Sequence, residues 1–281
     1  MNLTIGRKPT TVKPRRIKML VSGAAGAGKT WGALDYPSLF FIDVEGGATE
    51  PEYTQKLSDA GALYLGIDDG SQQAIPVLEA FHALKTQKHD RVTVVMDSVT
   101  KWFQVQTVEA EQQVGSQYGA DKKEAIKWLR RLVRHIDSLD MNVILIAHSK
   151  PHWVDGESAG TTFDCWDKLE YELDLWIEVT REGTQRIATV RKSRVAAFQM
   201  GKRFPWSYDT FAETYGRDAV EAKAKSVSQS DLLSSLIEEH DIDADLVGRW
   251  LEKAGVDSIS KMKATEQKAC ISWINENLVT V

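Results

Sequence analysis

Short apolar runs alternate with amphipathic stretches along the first two thirds of the sequence. The stretches at 30–34, 72–87 and 124–139 have the spacing of helices that bury one face. Apolar strands that alternate with such helices are typical of an α/β fold with a mostly parallel sheet. The predicted strands are Ile17–Val21, Leu39–Asp43, Ala62–Gly66, Val92–Asp97, Val143–His148, Leu173–Thr180 and Arg186–Lys192.

The last two predicted strands flank a short turn at 181–185 that contains Gly183. A glycine turn between two strands is typical of a hairpin, so we predict that these strands add an antiparallel, C-terminal hairpin to the sheet. Two further segments, 106–123 and 149–167, lack regular patterning and are predicted as loops. Loops this long in a compact domain are usually functional or disordered.

The C-terminal part of the chain has a different composition. Residues 219–230 are small and polar and are interpreted as a linker between a core at 1–218 and a small, acidic helical domain at 231–281. The net charge is −5, and residues 226–281 carry ten acidic and five basic residues, so the acidic excess lies in this tail. A basic start and an acidic end are compatible with nucleic-acid binding, although charge alone favours two solvated surfaces.

The most specific pattern lies between the first predicted strand and the first predicted helix. Residues 23–30 match G-x-x-x-x-G-K-[ST], the phosphate-binding P-loop, in the strand–loop–helix context that this motif requires. Glycines lack a Cβ, so the backbone can turn tightly and present successive N–H groups to the phosphates of ATP. The predicted nucleotide-binding residues are Gly23, Ala24, Ala25, Gly26, Ala27, Gly28, Lys29, Thr30 and Trp31.

A second strand end supplies a carboxylate for Mg²⁺. The apolar strand Val92–Asp97 ends in Asp97, which is the Walker B pattern, and such an acid binds the metal directly or through water. Thr30 and Asp97 are therefore the predicted metal ligands. Many strands end in aspartate by chance, and the P-loop upstream is what gives this one its weight.

The catalytic base is predicted outside Walker B, because that strand ends in Asp-Ser rather than Asp-Glu. The strand Leu39–Asp43 ends in an acid and is followed by a second one two residues later. We interpret Asp43 as an acid that caps the loop and Glu45 as the catalytic residue. Lys29 is expected to reach the β- and γ-phosphates and to act in catalysis together with Glu45.

These motifs, in this order, resemble the core of RecA-type ATPases over roughly residues 15–210. The likeness is greatest to the shortened, phage-encoded RecA-like ATPases that accompany single-strand annealing proteins. The resemblance implies that Glu45 activates water. It also implies that His148, at a strand end where the family usually has glutamine, senses the γ-phosphate. A histidine that merely ends a strand is the alternative.

The two segments without regular patterning occupy the places of the DNA-binding loops of RecA-like proteins. Aromatic and basic side chains are mixed in the second of them, which suits stacking on single-stranded bases and pairing with phosphates. A hydrophobic plug that packs under a loop is the alternative. The residues concerned are Lys150, His152, Trp153, Phe163, Trp166 and Lys168.

Lys192 and Arg194 lie at the end of the last predicted strand. They resemble the Lys-x-Arg finger of DnaB-type helicases and related RecA-like ATPases, which reaches the γ-phosphate of a neighbouring subunit and stabilises charge during phosphoryl transfer. The resemblance implies an active site between subunits of a homo-oligomer, either a filament or a ring. A solvated basic strand end is the alternative.

These features predict a RecA-like ATPase of phage recombination or replication that uses ATP and Mg²⁺ and binds single-stranded DNA. A single-strand-binding or annealing protein is a predicted partner. Two other functions stay open: a hexameric helicase-type motor, and a nucleotide-binding regulatory module without DNA activity. No membrane span, secretory signal or disulfide framework is predicted, so the cytoplasm of the host cell is the expected location.

Overall fold

The computed structural model describes residues 16–223, 228–239 and 242–277. The basic residues before Arg16 lie outside the described residues. The described residues fall into two compact units, one of residues 16–78 and 90–223 and the other of residues 79–89, 228–239 and 242–277. That residues 1–218 and 231–281 are separate domains stays a prediction.

All nine strands of the described residues belong to the first unit. Six of the seven sequence-predicted strands differ from the observed ones by at most two residues at either end, and the exception is Val143–His148, which continues to Val154. The strands are β1 (Lys18–Gly23), β2 (Leu39–Asp43), β3 (Leu63–Leu65), β4 (Thr93–Asp97), β5 (Asn142–Val154), β6 (Glu157–Phe163), β7 (Leu175–Glu182), β8 (Gln185–Ser193) and β9 (Arg203–Pro205).

The strands form one sheet in the order β3-β2-β4-β5-β1-β7-β8-β9, and β6 pairs with the outer part of β5. From β3 to β7 all neighbours along this order run parallel, whereas β7, β8 and β9 pair antiparallel. The predicted α/β class, with a mostly parallel sheet and a C-terminal antiparallel hairpin, is confirmed. The turn of this hairpin contains Gly183, whose φ of +60° favours glycine.

Helices connect the strands of the first unit, and three helices of 11 to 14 residues lie in the described part of the C-terminal region. Their N-terminal ends include two serine caps, Ser98 and Ser207, whose side chains accept backbone N–H groups. The helices are α1 (Lys29–Ala33), α2 (Pro51–Asp59), α3 (Ala74–Thr86), α4 (Val99–Val114), α5 (Ala120–Ser138), α6 (Leu169–Glu172), α7 (Tyr208–Tyr215), α8 (Arg217–Glu221), α9 (Gln229–Glu239), α10 (Ala244–Ala254) and α11 (Ala264–Asn277).

The centre of the sheet is apolar on both faces. Every residue of β1 is buried, and so are residues 142–147 of β5. Strands that are covered on both faces have continuous apolar sequences rather than alternating ones, which is why these two strands were readable as short apolar runs. Burial of this kind holds the strand ends, and the loops that follow them, in fixed positions.

The prediction of a loop at 106–123 is wrong. Most of the segment is helical, because α4 extends to Val114 and α5 begins at Ala120. The buried Gln106 donates from its amide to the carbonyl oxygens of Gln72, at 2.8 Å, and Trp102, at 3.3 Å. A polar residue inside the protein thus holds α4 in place, and the rest of its second half is mostly exposed, so no apolar stripe marks the helix.

The prediction of a loop at 149–167 is also wrong over most of its length. The outer part of β5 and the strand β6 form an antiparallel pair over residues 149–163, which we call the arm. Its turn has Asp155 and Gly156 at φ of +52° and +84°, the backbone of a tight two-residue hairpin turn. The arm lacks an apolar alternation because β6 is exposed up to Thr161.

The C-terminal helices have a small apolar core of their own. A side-chain amide supports it, since Gln267 donates to the carbonyl oxygens of Ile259, at 2.9 Å, and Met262, at 3.1 Å. The predicted helical character of this region is confirmed. The buried core residues are Leu232, Leu233, Leu236, Met262, Cys270 and Ile274.

No helix in the described part of the chain combines the length and the apolar character needed to cross a bilayer.

Two buried hydroxyl groups in the first unit, those of Tyr36 and Ser149, have no hydrogen-bond partner among the described residues. The ring of Tyr36 packs against the rings of Tyr208, at 5.1 Å between centroids, and Phe211, at 5.6 Å. Its hydroxyl oxygen lies in this apolar cluster without a donor or acceptor from any described residue. A buried polar group left unpaired costs free energy of folding.

We expect Tyr36→Phe to raise the free energy of unfolding by about 1 kcal/mol, because it removes the unpaired group and keeps the ring. Tyr208→Phe is the matched control, since the Tyr208 hydroxyl donates to Glu221 Oε1 at 2.6 Å and should not be dispensable in the same way. Denaturant unfolding of both variants makes the comparison. A Tyr36→Phe protein less stable than the control would contradict the assignment.

Candidate functional site

The P-loop connects β1 to α1, and its backbone requires glycine at two positions for reasons internal to the protein. Gly23 has a φ of +155°, and a Cβ there would meet the carbonyl oxygen of Val179 at 2.4 Å. Gly28 has a φ of +88°, and a Cβ there would meet Nε of Arg186 at 2.3 Å. The hairpin of β7 and β8 therefore packs directly against the loop and fixes its path.

Lys29 points back across this loop. Its side chain is 8% exposed, and Nζ donates to the carbonyl oxygens of Gly23, at 2.9 Å, and Ala24, at 3.0 Å. Burial lowers the pKa of the Lys29 ammonium, and the carboxylates of Asp97 and Glu45 oppose that shift. The ammonium group is thus held at the mouth of the loop, where a phosphate would replace the two carbonyl oxygens.

Thr30, at the start of α1, is in contact with Asp97, at the end of β4. The Thr30 hydroxyl donates to Asp97 Oδ2 at 2.5 Å, so the two predicted metal ligands are in contact. Burial raises the pKa of Asp97 to about 6, and the charges of Glu45 and Asp43 add to it, while the Thr30 hydrogen bond and Lys29 lower it. A divalent cation held by Thr30 and Asp97 would compensate the charge of the buried carboxylate.

The loop after β2 is organised by Asp43. Its carboxylate accepts the N–H groups of Glu45, Gly46 and Ala48 at 3.2, 2.8 and 3.0 Å and the Tyr64 hydroxyl at 3.0 Å. The interpretation of Asp43 as a loop-capping acid matches these contacts. With every part of the carboxylate engaged, Asp43 orients the backbone that carries Glu45 rather than acting on a ligand itself.

Glu45 is held by two side chains from the neighbouring strands. His148 Nε2 lies 2.5 Å from Glu45 Oε1, and the Ser98 hydroxyl donates to the same oxygen. Ser98 follows the last residue of β4 after a cis peptide bond and also caps α4. In this arrangement one oxygen of the Glu45 carboxylate, Oε1, is hydrogen-bonded by the protein, close to Asp97 and to the middle of β5.

These residues line one cleft of about 570 Å³ at the carboxyl ends of β1, β2 and β4 and beside the middle of β5. The strand ends align because Gly23 pairs with His148 and Asp43 with Asp97 in the register of the sheet. Of the predicted nucleotide-binding residues, Ala27, Gly28 and Trp31 are not among the lining. The lining residues are Gly23, Ala24, Ala25, Gly26, Lys29, Thr30, Asp43, Glu45, Gly47, Ala48, Glu50, Tyr53, Asp97, His148 and Ser149.

The chemistry of the cleft fits a magnesium nucleotide. A hydroxyl and a carboxylate oxygen, with room beside them for phosphate oxygens, match the way Mg²⁺ binds few protein ligands and keeps phosphates and water. Within the described part of the chain, no cluster of three or more histidine, cysteine, aspartate or glutamate side chains could bind a metal by itself. The residues therefore fit a metal that is bound together with the nucleotide.

Trp31 lies beside the cleft rather than in its lining. Its ring packs edge-on against Tyr53, with 5.5 Å between centroids, and Lys56 Nζ lies 4.2 Å from the ring centroid. Arg186, whose side chain crosses Gly28, is 5.9 Å from the same ring. The sequence did not single out Arg186 or Ser98. For Ser98 a signal was present, because a serine directly before a helix is a typical cap.

Lys192 and Arg194 are not brought to this cleft. The register places Lys192 opposite Trp176, and the Arg194 N–H donates to Asp174, whose own N–H donates to Lys18 at the start of β1. Both basic residues thus lie toward the end of the sheet opposite to the P-loop. Burial lowers the pKa of Lys192, and the charge of Arg194 lowers it further.

A family model described as an AAA domain, AAA_24, matches residues 15–204. The chain belongs to this AAA domain family. A similar solved structure is the crystal structure of the RadB recombinase, with a TM-score of 0.47 and 17% identity, covering 67% of this chain and 86% of that chain. A search of curated proteins finds no match.

The AAA domain is therefore a nucleotide-binding P-loop ATPase core, and ATP with Mg²⁺ is the ligand pair typical of such cores. The individual roles of Lys29, Thr30, Glu45, Asp97 and His148 stay predictions. The geometry adds to them that Glu45 and His148 are bonded to each other, which the spacing along the chain does not indicate.

Magnesium-dependent nucleotide binding should weaken as the pH falls below about 6. The raised pKa means that the folded protein favours protonated Asp97, a stabilisation that is complete below about pH 4 and lost as the pH rises to 6. A metal needs the carboxylate, so a proton competes with it, by about tenfold in affinity for each further pH unit. Titration of a non-hydrolysable ATP analogue with Mg²⁺ from pH 7.5 to 5 measures this.

Asp97→Asn should bind the Mg²⁺ complex weakly across that range, with no inflection near pH 6. Binding in the presence of EDTA serves as the control for protonation of the nucleotide. An inflection that persists in Asp97→Asn would assign the titration to another group.

Proposed function

We propose that this protein is a RecA-like ATPase that hydrolyses ATP with Mg²⁺ and binds single-stranded DNA, in phage recombination or replication within the cytoplasm of the host. The observation that carries the proposal is the direct bond between Glu45 and His148. His148 is the residue at which β5 leaves the cleft and becomes the exposed arm. One residue thus joins the proposed catalytic carboxylate to the proposed DNA-binding element.

In the proposed reaction Lys29 neutralises the β- and γ-phosphates, and the P-loop N–H groups bind the same oxygens. Thr30 and Asp97 hold Mg²⁺, which supplies charge neutralisation between the phosphates. A water molecule attacks the γ-phosphorus, the bond to the ADP oxygen breaks, and Glu45 accepts a proton from the water. In this proposal His148 leaves Glu45 Oε1 and turns to the γ-phosphate, which gives the carboxylate a further oxygen for the water.

The arm has the composition of a single-strand-binding surface. Trp153, in the outer part of β5, is 64% exposed. It lines a groove of about 820 Å³ together with residues that include Lys150, His152 and Arg191. An exposed indole provides a platform for a base, and the cations beside it provide partners for phosphates. The exposed indole and the basic residues beside it support a binding path for single-stranded DNA along the arm.

We further propose that the active site is completed by a neighbouring subunit. Lys192 and Arg194 lie toward the end of the sheet away from their own P-loop, so they can serve a phosphate only in another copy. In the described structure Lys192 Nζ donates to the carbonyl oxygen of Leu173, and the guanidinium group of Arg194 donates to the carbonyl oxygen of Tyr171. In a filament or ring these donors would turn to the γ-phosphate of the adjacent site.

Mixing two inactive variants tests both the catalytic carboxylate and the shared site. Glu45→Gln and Arg194→Ala should each lose at least about 100-fold in single-stranded-DNA-stimulated ATPase activity. An equimolar mixture should recover activity at about one quarter of the sites, where an intact Glu45 faces an intact Arg194. Phosphate release measures the rate.

Arg203→Ala is the matched control, because Arg203 pairs with Glu182 on the surface. This variant should keep the activity of the wild type. A mixture no more active than its two components would argue against a site shared between subunits, and an active Glu45→Gln protein would argue against Glu45 as the base.

Trp153→Ala should weaken the binding of a labelled oligothymidine by about 1–3 kcal/mol, the loss expected for one stacked base. Trp273→Ala is the control, because Trp273 is 38% exposed in the C-terminal unit and should not contribute. Fluorescence anisotropy at several salt concentrations measures both. Equal loss in the two variants would exclude the arm as the DNA surface, and a wild type without salt-sensitive binding would favour the regulatory module.

A further inference from the structure

The first turn of α4 carries a second hydroxyl residue, Thr100, whose contacts differ from those of the cap residue Ser98. Its side chain is buried, with 1% of the residue exposed. The Thr100 hydroxyl accepts the backbone N–H of His148 at 2.9 Å and donates to the carbonyl oxygen of Asp164 at 2.5 Å. Both hydrogen bonds join Thr100 to backbone atoms of His148 and Asp164, the residues directly before and after the arm, which we call the base of the arm.

A third hydrogen bond closes this group into a ring. The backbone N–H of Asp164 donates to the carbonyl oxygen of His148 at 2.8 Å. The two chain segments that enter and leave the arm are thus bonded to each other and to Thr100. Because the next pair outward is Ser149 with Phe163, the ring lies directly at the base of the arm.

The two residues directly before α4, Asp97 at the end of β4 and the cap residue Ser98, are hydrogen-bonded to residues of the nucleotide cleft. Asp97, three residues before Thr100, accepts the Thr30 hydroxyl, and Ser98 donates to Glu45. Ser98 is also bonded to the first turn of this helix, because its hydroxyl oxygen accepts the backbone N–H of Lys101 at 3.1 Å. Only two residues separate Asp97 from Thr100, so a change in the position of Asp97 or Ser98 is passed to the first turn of α4. His148 is held from two sides, through its side chain by Glu45 and through its backbone by Thr100.

The base of the arm has space to move. Thr100 and Asp164 both line a cavity of about 510 Å³ between α4, α5 and the segment that follows β6, with Phe103 and Trp166 also in its wall. A group of residues that is closely packed on every side has no room to rearrange. The ring of hydrogen bonds at the base of the arm has this cavity beside it, so it can take two positions.

We propose that Thr100 is a positioning residue that couples the occupancy of the nucleotide cleft to the conformation of the arm. Nucleotide and metal draw Asp97 and Ser98 into new contacts, the first turn of α4 follows, and the Thr100 hydroxyl carries this shift to both strands of the arm. The inference rests on the proposed nucleotide-dependent function, but it concerns a residue that touches neither nucleotide nor DNA.

The test compares Thr100→Val, which keeps the shape and loses the hydroxyl, with Thr100→Ser, which keeps the hydroxyl. Thr107→Val is the matched control, because the Thr107 hydroxyl donates only within α4, to the carbonyl oxygen of Phe103 at 2.8 Å. Hydrogen exchange of residues 149–163, with and without Mg²⁺ and a non-hydrolysable ATP analogue, reports on the arm without any DNA. The ratio of oligothymidine affinities with and without the analogue is measured in parallel.

In the wild type, Thr100→Ser and Thr107→Val, the analogue should change exchange in the arm and shift oligothymidine affinity by about fivefold or more. In Thr100→Val the analogue should still bind, but both differences should disappear. A merely structural role would lower the melting temperature and leave these ratios unchanged. If Thr100→Val does not fold, Thr100→Ala is measured in its place.

Differences retained in a folded Thr100→Val or Thr100→Ala protein would overturn the inference, as would a wild-type arm whose exchange ignores the analogue. A wild-type arm that responds to the analogue in a protein that binds no DNA would instead refute the DNA part of the proposed function. In that case the coupling by Thr100 would stand if the valine variant abolished the response.

Discussion

Parallel pairing of β1, β4 and β5 is the constraint on which the rest of the site depends. These strands run in the same direction and are buried along the sheet, over residues 142–147 in β5, so the ends of β1 and β4 and the point where β5 leaves the sheet lie side by side in fixed register. Gly23, Asp97 and His148 come from distant parts of the chain and meet there without any bond between their side chains being needed. Asp43 adds the end of a fourth strand and fixes the loop that carries Glu45.

On this frame the site is a balance of opposed charges. A buried ammonium group faces two carboxylates, and burial raises the pKa of one of these, on Asp97, more than the Thr30 hydroxyl and the Lys29 ammonium lower it. The other, on Glu45, is satisfied by a histidine and a serine hydroxyl. The cleft is therefore arranged so that a metal–phosphate ligand relieves one carboxylate and competes for the partners of the other.

Much of the fold was predictable from the sequence, because strands buried on both faces and a P-loop in its strand–loop–helix context leave strong local signals. The arm and the second half of α4 were not predicted, since exposed strands and polar helices have no apolar periodicity. The turn at Asp155 and Gly156 did carry a hairpin signal, which the surrounding polar residues obscured. The bond between Glu45 and His148 depends on tertiary register and has no local signature.

The packing of the β7–β8 hairpin against the P-loop has an evolutionary consequence. Gly23 has no room for a side chain because the carbonyl oxygen of Val179 occupies the space, and Gly28 has a φ of +88°, which other residues rarely adopt. A descendant that lost its enzymatic activity would still be selected to keep both glycines, simply to fold. Retention of the glycine pattern in a homologous sequence is thus a record of packing, and inheritance of the chemistry is better judged from Glu45 and Asp97.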